Sequence, residues 1–341
     1  MEGISNMKHS GFQGTLLHRI IARREITLLV IIVLLVAAVG IRAPRFLQPG
    51  RQLSILNDTI ILLMLTLGQL AVILTAGIDL SVASNLAFTG MAVAMWNMMM
   101  PGVPMIVLVG ASILIGASLG AFNGVMVAVG KVPPIIMTLG TMSVYRGMVF
   151  LISGGAWVSA HQMSPAFRGF ARFSFLGLPS LVWIGVLTTG LVYLFLNHTK
   201  GGRELYAVGD NETAAGFVGV SATRAKIKAF VLSGAIAGLT GLLWVSRYAS
   251  AQNDTAIGFE LETVAAAVIG GVSIMGGSGS VPGVVLGAVF LGIVKNALTV
   301  IGVSPFWQMA IQGGVILIAI VANTLMDRRN QARLSMNGVS A

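Results

Sequence analysis

The sequence has no cysteine and very little charge. Charged residues make up 9% of its 341 residues, whereas hydrophobic residues make up 56%, and the mean hydropathy is +0.90. The absence of cysteine excludes a disulfide framework and a thiolate metal site. Because a soluble domain carries about 25% charged residues, this chain has too few to cover a water-soluble fold. Its long continuous apolar runs predict an all-α integral membrane protein rather than a barrel.

Motifs for energy-consuming chemistry are also missing. No G-x-x-x-x-G-K-[ST] phosphate loop and no H-E-x-x-H zinc motif occurs in the sequence. The methionine cluster MWNMMM (95–100) lacks the nearby histidine or cysteine that a soft-metal site needs. We therefore expect no catalytic residue, no metal and no cofactor, and the chain is not expected to be an enzyme.

The apolar segments predict about ten transmembrane helices, since about 20 apolar residues cross a bilayer core. They lie at 26–43, 55–76, 83–100, 104–129, 132–153, 179–197, 226–247, 261–275, 281–302 and 306–326. This divides the chain into an N-terminal tail (1–25), a permease domain (26–326) with a polar loop at 198–228, and a C-terminal tail (327–341). The segment 261–275 is short and GIDLSVAS (77–84) interrupts another run, which is typical of helices that line cavities.

The basic residues predict the orientation of the chain. With ten spans, lysine and arginine are more numerous in the loops on the side of the two termini, so both termini are expected to be cytoplasmic. The net charge of +10 is scattered over loops without interleaved aromatics, so nucleic acid is not an expected partner. The outer loops carry arginine alone. These arginines either face lipid headgroups or offer planar donors to carboxylates of a docking partner; the docking candidates are Arg42, Arg45, Arg51, Arg168 and Arg172.

Polar side chains at membrane depth are candidates for the translocation path, because burying them in lipid is costly. The candidates are Asp58, Asp79, Ser81, Asn85, Asn123 and Asn296. Each of four has a structural alternative. Asp79 can cap the interruption in the backbone, Asp58 can sit at the interface, and Asn123 and Asn296 can make hydrogen bonds between helices.

Glycines at intervals of four residues predict close helix packing. Gly116, Gly120 and Gly124 form one such stripe, and Gly234 and Gly238 repeat the pattern. Small residues let membrane helices approach closely. The stripes are expected to pack either within the bundle or between two copies of the permease.

The stretch GGRELYAVGDNETAAGFVG (201–219) is small, polar and rich in glycine between two apolar runs. Asn211 is a predicted N-cap for a short helix over 212–218, and Gly219 can close it. Glu212 in the first turn suits the helix dipole. The exposed face is expected to be 213–216, with Phe217 as the one large anchor. The stretch is either an ordinary loop with a helical turn or a docking site for another protein.

Four motifs, in one order along the chain, resemble ribose-type permeases of ATP-binding-cassette importers. They are GIDLSVAS (77–84), FNGVMVAVGKVPPIIMTLGTMSVYRG (122–147), GRELYAVGDNETAAGFVGVSATRAKIKAFVLSGAIAGLTG (202–241) and AAAVIGGVSIMGGSGSVPGVVLGA (265–288). With the hydropathy profile the resemblance covers nearly the whole chain. One departure is Ala83, where the family usually has glycine.

The resemblance implies a bacterial inner-membrane permease that works with several partners. These are a second permease copy or homologue, two cytoplasmic ATPase subunits that bind ATP, and a periplasmic or lipid-anchored sugar-binding protein. It also implies that a helix at 211–218 couples the permease to the ATPase. The coupling residues are then Gly209, Asp210, Asn211, Glu212, Ala214, Ala215, Phe217 and Gly219. The implied substrate is a pentose, rhamnose or autoinducer-2, and the resemblance slightly favours the last two.

Two other classes of protein remain open. A self-contained, ion-coupled sugar transporter would use Asp58 or Asp79 at its ion site. A non-transporting membrane scaffold would need no polar residues in its spans. The stretch 201–219 separates the first of these from the importer permease, because a self-contained transporter does not need a docking site for an ATPase.

Overall fold

The computed structural model describes residues 24–304 and, after them, 306–308, 310–311, 313–314, 317–318 and 321. Nearly all of the predicted tail 1–25, the whole of the tail 327–341 and much of the predicted span 306–326 lie outside the described residues.

The described part of the chain is built almost entirely of helices. They are α1 (Arg24–Arg42), α2 (Pro49–Ile73), α3 (Val82–Met99), α4 (Met105–Ala128), α5 (Pro134–Ser153), α6 (Pro165–Phe170), α7 (Ser180–His198), α8 (Lys200–Asp210), α9 (Glu212–Phe217), α10 (Ala222–Tyr248), α11 (Phe259–Ile269) and α12 (Val281–Val300). Two 3-10 turns lie at Pro44–Leu47 and Ala160–Gln162. The strands have two residues each: β1 (Val158–Ser159), β2 (Ser174–Phe175), β3 (Leu178–Pro179) and β4 (Ser250–Ala251).

Seven helices of the described part are long and apolar enough to cross a membrane, namely α1, α2, α4, α5, α7, α10 and α12. The predicted segment 83–100 forms α3, which carries polar Ser84, Asn85 and Asn97. The predicted segment 261–275 forms only the 11-residue α11. A helix of that length is about 16 Å long, roughly half the hydrocarbon thickness. The segment 261–275 is thus short, as expected, and its helix cannot cross the membrane by itself, because glycines 270 and 271 end it.

The bundle is arranged around α2 and α10. Both are buried along most of their length, whereas α1, α4 and α5 expose much of their apolar surface. Exposed side chains such as Leu114, Leu151 and Leu187 suit contact with lipid, where an apolar surface has no cost of hydration. The bundle has an α8–α9 end and an opposite end, where β1 pairs with β4 and β2 with β3.

The predicted glycine stripes pack against each other within the chain, between α4 and α10. A Cβ on Gly116 would lie 2.2 Å from the carbonyl oxygen of Gly234, and one on Gly234 would lie 2.3 Å from the carbonyl oxygen of Gly116. A Cβ on Gly120 would meet the carbonyl oxygen of Phe230 at 2.2 Å. The two backbones are therefore in direct contact, which is why only glycine fits there.

Two interruptions in the bundle lie close to the α8–α9 end. The first break, residues 74–81, separates α2 from α3, and the second break, residues 270–280, separates α11 from α12. Ala76 in the first and Gly276 and Gly277 in the second have positive φ angles of 58°, 92° and 69°. These segments cannot continue their helices, so their backbone groups need other partners.

We predict that Gly116→Val prevents stable folding. The added side chain has no room between the α4 and α10 backbones, and overpacking costs about 1–3 kcal/mol or more. The control is Gly110→Val on the same helix, because a Cβ at Gly110 meets nothing within 4 Å. The measurement is thermal unfolding of each detergent-extracted variant, followed by size-exclusion chromatography. Equal melting temperatures for the two variants would contradict the packing described.

Candidate functional site

The predicted short helix exists as α9. A capping residue stabilises the N-terminus of both α8 and α9. The Asn211 side chain accepts a hydrogen bond from the Ala214 amide (2.9 Å), as predicted for an N-cap. Thr199 caps α8 in the same way, accepting from the Gly202 amide (3.1 Å). Gly219 follows α9 with φ of 80°, a left-handed conformation that glycine adopts easily. The segment is thus an ordered helical hairpin, α8–α9, and not a loose loop.

The outer surface of this hairpin is apolar at the C-terminal end of α9, which we call the hairpin tip. Phe217 and Val218 are 87% and 78% exposed, and residues 211–214, 216 and 219 are also exposed. The prediction that Ala215 belongs to the exposed face is wrong, since Ala215 is only 4% exposed and is part of the main core cluster. The six-residue helix turns this side chain inward, opposite Phe217. Phe217 points away from the bundle rather than into it.

Two ion pairs tie the hairpin to the start of α10. Lys226 Nζ lies 2.6 Å from Glu212 Oε2, and Lys228 Nζ lies 2.9 Å from Glu204 Oε2. The hydrogen bond from Lys228 lowers the pKa of the Glu204 carboxyl below its usual value. Exposed pairs of this kind each contribute about 0–1 kcal/mol. They therefore orient the hairpin against α10 but add little to its stability.

The end of α8 is pressed against both breaks of the bundle. A Cβ on Gly209 would lie 1.8 Å from the Leu74 carbonyl oxygen and 2.6 Å from the Gly277 nitrogen. The Gly277 amide also donates to the Leu74 carbonyl (3.1 Å), and the Tyr206 hydroxyl donates to the Gly279 carbonyl (3.1 Å). Residues from three distant parts of the sequence therefore meet without intervening side chains. We call this contact of Leu74, Gly209 and Gly277 the backbone junction.

A cavity of about 470 Å³ opens beside the backbone junction. Its walls come from the first break, the turn before α5, the end of α8 and the start of α9, and they include Thr75, Lys131, Asp210 and Lys226. Asp210, a predicted coupling residue, thus lines a cavity at the α8–α9 end. The sequence indicated neither this cavity nor the contact between Tyr206 and Gly279.

Four of the six predicted translocation residues are buried side chains around the first break. Asp79 Oδ1 accepts hydrogen bonds from the Ser81 amide (2.9 Å) and the Ser81 hydroxyl (2.6 Å), so Asp79 caps the break. Asn123 Nδ2 donates to Ser81 Oγ (2.8 Å), and Asn85 Nδ2 donates to the Gly116 carbonyl (3.1 Å). These four side chains hold α3 and the break against α4.

Two residues outside the six translocation candidates complete this network. The Ser233 hydroxyl of α10 donates to Asp79 Oδ2 (3.2 Å). The Gln69 amide, oriented with its nitrogen towards the Asp79 carbonyl, donates to that oxygen (3.0 Å) and accepts from the Asp79 amide (3.1 Å). Gln69 can be recognised in the sequence as a polar residue within an apolar run. Ser233 gives no such signal, because it lies among the other small residues of α10. None of the ion pairs formed by the described residues includes Asp79.

Asp58 and Asn296 lie elsewhere, at a second cavity near the opposite end of the bundle. Asp58 Oδ1 pairs with Arg247 Nη2 (2.6 Å) and accepts from the Tyr248 hydroxyl (3.2 Å). Asn296 Nδ2 donates to the Gly292 carbonyl of its own helix (3.0 Å), and among the described residues this nitrogen makes no bond to another helix. The predicted translocation residues therefore form two separate groups.

The five candidate docking arginines also divide. Arg42 and Arg45 are exposed, whereas Arg51 and Arg168 are half-buried. The Arg172 guanidinium donates from Nε to the Arg247 carbonyl (2.8 Å). Arg172 therefore contributes to the fold of its own chain although it is exposed, and Arg42 and Arg45 are the other exposed members of the set.

Comparison with known proteins places this arrangement among transport proteins. The family model described as "Branched-chain amino acid transport system / permease component" matches residues 52–320. Ribose import permease protein RbsC of Escherichia coli strain K12 is 36% identical over 305 residues, which cover 89% of this chain and 93% of that protein.

Two further relatives give similar values. Ribose import permease protein RbsC of Bacillus subtilis strain 168 is 37% identical over 299 residues, which cover 88% of this chain and 91% of that protein. Autoinducer 2 import system permease protein LsrC of Escherichia coli strain K12 / DH10B is 34% identical over 315 residues, which cover 92% of this chain and 90% of that protein. No solved structure matches the chain.

We predict that Gly209→Ala disrupts the α8–α9 hairpin, whereas Gly216→Ala does not. The first adds a methyl group where the Leu74 carbonyl already lies, and the second adds one where nothing lies within 4 Å. Alanine is favoured over glycine within a helix by about 0.5–1 kcal/mol, so the second variant should be neutral or slightly more stable. The check is limited proteolysis of the hairpin together with the melting temperature. A hairpin equally resistant in both variants would show that Gly209 is not confined.

Proposed function

The chain belongs to the family of branched-chain amino acid transport system permease components, and from this premise we propose that it is the transmembrane permease subunit of an ATP-binding-cassette importer for a small sugar. The two kinds of relative named above are import permeases for ribose and for autoinducer 2. They confirm the resemblance found in the four sequence motifs. The proposed substrate class follows these relatives, which match about nine tenths of the chain, rather than the amino acids of the family description.

The exposed tip of the α8–α9 hairpin is the single observation that carries the proposal. Phe217 and Val218 present apolar side chains to the outside, beyond the basic start of α10. Two adjacent exposed apolar side chains on a polar, well-capped helix suit the contact surface of a partner protein. An ATPase subunit with a cleft for this helix is the proposed occupant. ATP then binds to the partner subunits, and this chain hydrolyses nothing.

The backbone junction explains how such a partner moves the permease. Only Asp210 and Asn211 separate Gly209 from α9, so a displacement of α9 is transmitted to Gly209. Gly209 in turn contacts Leu74 and Gly277 directly. No flexible side chain lies between them to absorb the displacement. Closing of the ATPase pair therefore shifts the first and second breaks together, and this changes access between the two ends of the bundle.

The remaining partners and the orientation follow from the same proposal. The α8–α9 end faces the cytoplasm of a bacterium, together with both termini, and the opposite end faces outward across the inner membrane. A second permease copy or homologue completes the membrane part. A sugar-binding protein docks at the opposite end, where Arg42 and Arg45 offer exposed guanidinium groups to its carboxylates.

We predict that Phe217→Arg abolishes assembly with the ATPase while the permease itself stays folded. The side chain is exposed, so arginine fits sterically, but it places charge and bulk in the partner's apolar cleft. Phe173→Arg is the matched control, because Phe173 is 66% exposed at the opposite end. The measurement is ATP hydrolysis by the complex that purifies with each tagged variant, beside its melting temperature.

The proposal requires ATP hydrolysis to be lost with Phe217→Arg and retained with Phe173→Arg. If both variants retain the wild-type rate of ATP hydrolysis per complex, the hairpin tip is not the coupling surface. If the wild-type chain purifies without any ATPase and still moves sugar, the ion-coupled transporter replaces the importer.

A further inference from the structure

The second cavity lies far from the coupling surface and has a volume of about 350 Å³. It opens between α2, α10, α11 and α12 at the opposite end of the bundle. Its volume falls at the lower end of the range for small-molecule sites, about 300–1,000 Å³. The cavity is thus large enough for one small solute.

One wall of this cavity is aromatic. The Trp244 ring meets Phe259 edge-on, with centroids 5.2 Å apart and planes at 83°, and it also contacts Tyr248 at 4.9 Å. Aromatic pairs of this geometry attract one another beyond the effect of their burial. The wall is therefore a fixed apolar surface and not a set of mobile side chains.

The other walls are polar, and most of their charge is internally balanced. Asp58 is paired with Arg247, and Lys295 lies 3.0 Å from Glu262 and 4.6 Å from the centre of the Phe259 ring. Paired charges offer hydrogen-bond donors and acceptors without attracting an ion of either sign strongly. Arg51 also lines the cavity, and its buried Nε has no hydrogen-bond partner among the described residues.

We propose that this cavity is a loading site for a neutral sugar or similar polyol, entered from the outer side before the breaks move. A sugar has an apolar C–H face that suits the aromatic wall and several hydroxyl groups that suit the polar walls. The inference rests on the proposed function, because it gives the imported solute a place within a single chain. The charged side chains that line the cavity balance one another, Arg51 and Lys295 against Asp58 and Glu262, so an ion of either sign gains little there. A purely apolar solute would leave the polar groups unpaired.

The cavity is closed off from the α8–α9 end in this structure. Seventeen positions separate Asp58 from Thr75, which lines the cavity at that end, and this corresponds to about 25 Å along a helix. The α2 side chains between them, including Met64, Leu67 and Leu70, are fully buried. A solute in the loading site therefore waits on one side of a packed barrier, as alternating access requires.

The native chain contains no cysteine, so single cysteines can report on this cavity without any background. Thr299→Cys places a thiol in the cavity lining, and Met100→Cys places one at a 59% exposed position at the same end outside it. The experiment measures the rate at which a membrane-impermeant methanethiosulfonate labels each variant in the complete transporter. Labelling is compared in buffer, in a panel of neutral pentoses and hexoses, and in citrate at equal osmolarity.

We expect a sugar of the panel to slow labelling of Thr299→Cys about threefold, which corresponds to about two-thirds occupancy of the cavity. Met100→Cys should be unaffected. Adding Trp244→Ala to Thr299→Cys should remove the protection, whereas adding Trp183→Ala, which alters an exposed tryptophan of α7, should not.

The proposal is overturned if no sugar protects Thr299→Cys, if citrate protects it better than the sugars, or if the thiol does not react at all. It is also overturned if protection survives Trp244→Ala. ATP-driven sugar uptake by the wild-type complex is measured in parallel. Uptake without protection contradicts the loading site alone, whereas protection without ATP-driven uptake contradicts the proposed function alone.

Discussion

The contact of three backbone segments at Leu74, Gly209 and Gly277 is the constraint on which the rest of the structure depends. Breaks in membrane helices leave polar backbone groups that must find partners inside the protein. Here the Gly277 amide donates to the Leu74 carbonyl, so each break satisfies the other. The absence of a side chain at Gly209 lets α8 lie directly on this contact. The polar hairpin is therefore tied directly to both breaks of the described bundle.

The rest of the bundle gives this contact a rigid frame. The glycine contacts between α4 and α10 fix those two helices at backbone distance. The Asp79 network then holds the first break to α4 and α10 through Ser81, Asn123 and Ser233. Since α10 also carries Trp244 and Arg247 at the opposite end, one long helix connects the hairpin, the first break and the second cavity. Displacement of α9 can therefore be transmitted to the proposed loading site along helices in backbone contact.

Much of this arrangement could be predicted from the sequence, because membrane helices and short-range caps depend on local pattern. The long apolar runs, the N-cap at Asn211 and the glycine stripes all follow from composition or spacing. The burial of Ala215 could not be predicted, because it depends on how the hairpin is rotated against the bundle. The same holds for the backbone junction, whose members lie 68 to 203 residues apart in the sequence. The pairing of Asp58 with Arg247 likewise depends on tertiary packing, whereas the shortness of the segment that forms α11 is visible in the sequence.

The most direct test of the account is the energy source of sugar uptake in proteoliposomes that contain the purified complex. Uptake is measured with ATP on the side of the α8–α9 hairpin, with ATP on the opposite side, and with ion gradients alone. The account predicts uptake only with ATP on the hairpin side, and no loss when ionophores collapse the gradients. Uptake that persists without ATP and stops with ionophores would contradict it, and would identify the chain as a self-contained transporter.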